Sequence, residues 1–173
     1  MIHLIAQDLA AGTLPLASVV FLTAALAWFV FCGIVLWIVD VREHRLPNAW
    51  TGLLFVGGGL LLIATTLAAP DESVLTNRVV TTLIGSMGYL SVMFVLHLVT
   101  RAGLGMGDVK LAAGLGLYTG FIGLEALIAG VVLAFVFGGL QAVYLVLFRG
   151  GKRSTKIAFG PAMLAACLGV LIM

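Results

Sequence analysis

The chain has 173 residues, of which 62% are hydrophobic and only 9% charged. Soluble domains carry roughly 25% charged residues, so a water-soluble globule of this size is excluded, having too little interior to hide so much apolar chain. The formal charge of +2 excludes little by itself, but the distribution of the charges is informative.

The stretch before Pro15 holds His3 and Asp8 and no Lys or Arg, the wrong flank for a cleaved signal peptide, which needs a basic start. Leu16 to Val39 reads as a first span, and at 1.5 Å per residue it covers about 36 Å, enough to cross ~30 Å of hydrocarbon. Asp40 to Trp50 is expected to be a polar link, with Pro47 unable to continue a helix and Asn48 suited to cap the next one. The second span is expected over Thr51 to Ala69, where Gly57-Gly58-Gly59 would allow close helix approach in lipid. Pro70-Asp71-Glu72 marks a turn, and the third span is expected over Val79 to Val99.

A glycine-rich link, Thr100 to Asp108, leads into the shortest span, about Asp108 to Tyr118. After a turn over Thr119 to Glu125, a fifth span is expected over Ala126 to Phe148. A basic link from Arg149 to Lys156 precedes a sixth, about Ile157 to Met173. The fold class is therefore all-α: one integral-membrane domain, residues 1–173, with about six transmembrane helices. The apolar runs are too long and do not alternate, which excludes a β-barrel of ~10-residue strands. Cys32 and Cys167 lie inside apolar runs and are expected to pack as small hydrophobes. No Cys-x-x-Cys spacing is present, so no zinc site is encoded.

Of the nine Lys and Arg residues, all but Arg78 fall in the three links at Arg42–Arg45, Arg101–Lys110 and Arg149–Lys156. The positive-inside rule makes those links cytoplasmic, and six spans then leave both termini outside. Asp40 closes the first expected span and Asp108 opens the fourth, with two complete spans between them. The two carboxylates therefore reach the same membrane face in either orientation, and they can meet if the first and fourth spans pack together. An ionisable residue at a membrane edge is a functional-site candidate by default. Two aspartates sharing a proton suit peptide hydrolysis: one carboxylate activates water, while the other, held protonated by its like-charged neighbour, donates to the scissile carbonyl. Gly105 and Gly107, lacking a Cβ, allow a tight turn and close backbone approach beside Asp108. Lys110 is placed to tune that aspartate or to anchor the helix end.

Gly105-Met106-Gly107-Asp108-Val109-Lys110-Leu111, preceded by Asp40 with Leu46-Pro47-Asn48 and followed by Phe159-Gly160-Pro161, resembles the type IV prepilin peptidase family of membrane aspartyl proteases. The resemblance implies that Asp40 and Asp108 are the catalytic pair, with Gly105, Gly107, Pro47, Asn48 and Lys110 shaping the site or binding substrate. It implies an endopeptidase of the bacterial or archaeal cytoplasmic membrane, cutting the short basic leader from a prepilin or pseudopilin on the cytoplasmic side. The missing cysteine pairs and short N-terminal stretch suggest a peptidase-only form like those of Tad/Flp pilus systems. Membrane lipid is the other implied partner; no cofactor, metal or nucleic acid is implied, a chelator is expected to be inert, and the oligomeric state stays open. A proton-coupled carrier or a non-catalytic pilus-assembly scaffold are the alternatives. A carrier would place its carboxylates near the midplane rather than at one edge.

Overall fold

The computed structural model describes residues 15–68, 72–100, 104–148 and 158–173. The N-terminal stretch with His3 and Asp8, the Pro70-Asp71 turn, Arg101, Gly103 and the basic link from Arg149 to Lys156 lie outside the described residues.

The described residues form helices and no strand: α1 Leu16–Glu43, α2 Asn48–Leu67, α3 Glu72–Val99, α4 Met106–Ile122, α5 Leu124–Phe148 and α6 Gly160–Ile172. Four spans, in α1, α2, α3 and α5, are long and apolar enough to cross a membrane, whereas α4 has 17 residues and α6 has 13. The long helices turn apolar faces outward, as Val20, Ile34, Leu60 and Val95 illustrate. Polar groups are drawn inward instead, the reverse of a soluble protein and the expected arrangement in lipid.

The shortest expected span is the centre of the bundle. In α4, every residue from Asp108 to Phe121 is buried except Lys110. It packs most extensively on α3 and also meets α2, α5 and α6. Its contact with α3 is backbone against backbone. A Cβ on Gly120 would lie 2.6 Å from Thr81 O, and one on Gly85 would lie 2.6 Å from Gly120 Cα. Ser86 Oγ then donates to Ala113 O at 3.0 Å across the same seam. The small residues Gly116 and Gly120 thus serve helix packing, as their spacing suggests. The Gly57–Gly59 run on α2 serves it as well: Trp28 lies over Gly57, and Tyr118 lies over Gly58.

Helix ends differ from the expected ones for local reasons. The first span does not stop at Asp40. The helix continues to Glu43 and closes at His44 in a left-handed conformation (φ 52°), whose N–H bonds Asp40 O at 2.9 Å. Nothing in Val41-Arg42-Glu43 breaks a helix, and Arg42 in the last turn suits its negative end. Asn48 does not cap α2: Pro47 occupies the N-cap position, and Asn48 is the first helical residue. The turn expected over Thr119 to Glu125 shrinks to Gly123, whose φ of 154° a residue with a Cβ would resist. Beside it, Arg78 Nη1 donates to Phe121 O at 2.7 Å and Ile122 O at 3.3 Å, satisfying carbonyls that end α4. Cys32 and Cys167 are free and buried.

Candidate active site

Asp40 and Asp108 line one cavity of about 270 Å³, together with His44, Arg45, Leu46, Gly105, Met106 and Gly107. Both carboxylate residues are buried, at 4% and 8% exposure. Asp40 and Asp108 lie within electrostatic reach of each other, and His44 lies within reach of Asp40.

Each carboxylate lies at the N-terminal end of a helix. Asp108 is in the first turn of α4. Asp40, near the end of α1, accepts a hydrogen bond from the backbone N–H of Gly160, the first residue of α6, at Oδ2 (3.1 Å). The first backbone N–H groups of a helix have no partner within it and carry its positive end. Asp40 therefore caps α6 from another helix, and α6 holds the Asp40 carboxylate in place. In the sequence Gly160 stands out only as part of Phe159-Gly160-Pro161. The available signal for its role was a glycine-proline start to an apolar helix, which leaves an N–H free and a space beside it.

Glycine at three positions makes room rather than turns. A Cβ on Gly160 would lie 2.6 Å from Asp40 Oδ2. One on Gly107 would lie 2.9 Å from Leu46 Cβ. One on Gly105 would lie 3.2 Å from Asp108 Oδ2. Gly105 has an ordinary φ of −66°, so the expected tight turn is not what requires glycine there; the space taken by the Asp108 carboxylate is. The close approach expected at Gly107 is made by Leu46 of the α1–α2 link. Leu46 also reaches the Gly160 side of the cavity, with Cδ2 3.4 Å from that glycine's Cβ position. This one leucine thus lies against both the α4 and the α6 entries to the site.

Pro47, Asn48 and Lys110 do not line the cavity. Lys110 and Asn48 brace it from outside: Lys110 Nζ donates to Asn48 Oδ1 at 2.8 Å, joining the start of α2 to the first turns of α4. Behind Gly105, His97 Nδ1 lies 2.6 Å from Leu104 O, tying the end of α3 to the entry into α4. The anticipated meeting of the first and fourth helices occurs through side chains. Tyr118 hydroxyl donates to Ala25 O at 3.2 Å, and its ring stands edge-on to Phe29 at 5.0 Å. The broader contacts of α1 are with α2 and α6, which thus carry much of the alignment between the two aspartates. Among the described residues, no group of three or more His, Cys, Asp or Glu is arranged to hold a metal ion.

Comparison with known proteins gives a consistent result. The model of the type IV leader peptidase family matches residues 27–173. The chain is 30% identical over 166 residues to a prepilin leader peptidase/N-methyltransferase of Aeromonas hydrophila, covering 89% of this chain and 53% of that protein. A protein of the same name from Pseudomonas putida is 31% identical over 122 residues, covering 70% of this chain and 38% of the relative. The chain spans about half the length, or less, of these curated relatives. No solved structure matches it.

Proposed function

The chain belongs to the type IV leader peptidase family, and from that premise we propose that it is a membrane-embedded aspartyl endopeptidase whose paired carboxylates are Asp40 and Asp108. The observation that carries this reading is the shared cavity: two buried carboxylates from α1 and α4 face one space, each at the positive end of a helix.

The pair works with one proton between its members. The ionised carboxylate takes a proton from water as the water attacks the scissile carbonyl. The protonated one donates to the carbonyl oxygen as negative charge develops there. The proton belongs to the pair, and so do its titrations. Gly160 N–H fixes Asp40 without occupying its second oxygen, which stays available to water or substrate. Leu46 lies against both Gly107 and Gly160 and contributes an apolar side chain to the cavity lining.

The substrate in this reading is a type IV prepilin or pseudopilin with a short basic leader followed by an apolar segment, cut at the cytoplasmic face. The basic links at Arg42–Arg45 and Arg101–Lys110 support that orientation by the positive-inside rule. We assign the peptidase half of the relatives' double name, because two carboxylates on one cavity suit hydrolysis.

The test is co-expression with a tagged prepilin, following pilin size on a gel for wild type, Asp40→Asn and Asp108→Asn at matched membrane levels. Wild type is expected to shift the pilin to its mature size, and neither variant is. A shift that persists in either single variant would sink the two-aspartate mechanism.

A further inference from the structure

An apolar groove of about 250 Å³ runs between α1 and α6. Val30, Ile34, Trp37 and Ile38 line it from α1, and Leu164 and Leu168 line it from α6. Gly33 on α1 and Ala165 on α6 are also in the lining, and small residues let another helix approach closely in lipid.

Its position relative to the aspartates sets it apart. The helices that form it are those that meet at the Gly160–Asp40 hydrogen bond. Trp37 precedes Asp40 by about 4.5 Å along α1, and Leu164 follows Gly160 by about 6 Å along α6. The groove therefore ends about one helical turn from the Asp40–Gly160 contact. A second apolar groove, of about 50 Å³, lies among α2, α3 and α4 and includes Leu83, Leu117 and Phe121. Phe121 is about 20 Å along α4 from Asp108, at the opposite end of the bundle. An apolar groove in a bilayer is open to lipid by default, but of these two only the first lies beside the Asp40–Gly160 contact.

We propose that the α1–α6 groove is the docking surface for the apolar helix that follows the cleavage site of the substrate. This rests on the peptidase reading above. A substrate whose leader lies at the membrane edge and whose next segment is apolar must pass from the cavity into the hydrocarbon. The groove gives that segment a protein wall from the point of cleavage inward. About two helical turns of α1, Val30 to Ile38, supply the contact. The register of the apolar helix along this wall would then set which peptide bond reaches the aspartates.

The test uses the full-length protein in membranes with a photoreactive benzophenone residue at Ile34, Leu168 or, as control, Leu83. All three positions are exposed. Each probe is placed in the Asp108→Asn background, so that a tagged prepilin stays uncut, and wild type is run beside them. The expected result is a band at the combined mass of enzyme and precursor from Ile34 and Leu168, mapping to the precursor's apolar segment, and none from Leu83. Filling the groove with Ala165→Leu is expected to suppress the Ile34 band. If Ile34 and Leu168 capture only lipid or a second copy of the chain while wild type still cuts the precursor, the docking surface is overturned and the peptidase reading stands. If wild type leaves the precursor uncut, the peptidase reading falls and the docking proposal falls with it.

Discussion

Gly160 and Asp40 are 120 residues apart in sequence, yet the backbone N–H of the first donates to the carboxylate of the second at 3.1 Å. The contact joins two ends of the family-matched region and fixes one of the two carboxylates against a helix N-terminus.

Gly160→Ala is expected to cripple cleavage without removing the protein from the membrane. The added Cβ would lie 2.6 Å from Asp40 Oδ2, so the carboxylate must move. A displacement of ~1 Å at a catalytic group can cost about 100-fold in rate. Precursor cleavage at matched protein levels measures this; cleavage within about twofold of wild type would separate the Gly160 contact from catalysis.

Cleavage rate should follow a bell in pH. On the acid side both carboxyls are protonated, and no base remains for water. On the alkaline side both are ionised, and no donor remains for the carbonyl. In the proposed mechanism the singly protonated pair between these limits is the active form. Initial rates in detergent or vesicles across the pH range would show it, and a rate that rose through one limb to a plateau would argue for a single titrating group instead.

Asn48→Ala and Lys110→Met should each weaken activity or stability modestly, by about 0.5–1.5 kcal/mol, the usual contribution of one hydrogen bond. They touch the same bond, so the double variant should cost little more than either single one. Thermal unfolding in detergent and cleavage rates on all four proteins give the cycle. Fully additive effects would mean that the two residues act separately.

Glycines should divide sharply by their neighbours. A Cβ on Gly116 would lie 2.8 Å from Ser86 Cα and 2.9 Å from Gly85 C, backbone atoms that cannot step aside. Gly116→Ala is expected to lower stability by about 1–3 kcal/mol, the usual penalty of overpacking. Gly52 and Gly139 have nothing within 4 Å of the same position, so alanine there should be neutral or slightly stabilising. Membrane yield and melting temperature distinguish the cases.

Much of the arrangement was legible from local cues. The glycine-flanked Asp108 and the chain parity between it and Asp40 pointed to one site on one face, and the structure brings these residues to one cavity. Pro47 marked the start of α2 because a ring without an N–H rules on its own position. What escaped the sequence was settled by distant partners. Asn48 carries a good capping side chain, but that oxygen is taken by Lys110 from α4. Asp40 looked like the end of a span because a charge commonly marks one. It lies inside the helix because Gly160 and the cavity provide for its carboxylate. The reason for glycine at 105 and 107 was half visible: room was needed, but the occupants, a carboxylate and Leu46, emerge only from the fold.

The burial of α4 has a consequence for how the protein is made. The helix bearing Asp108 and the helix beginning at Gly160 are not among the four long apolar ones. With 17 and 13 residues, they lie at or below the short end of what crosses ~30 Å of hydrocarbon. Packing against their longer neighbours, above all α3, whose glycine face fits α4, is expected to assist their entry. Because Asp108 follows three helices in the chain, a chain halted after those helices is expected to be embedded without the Asp40–Asp108 pair.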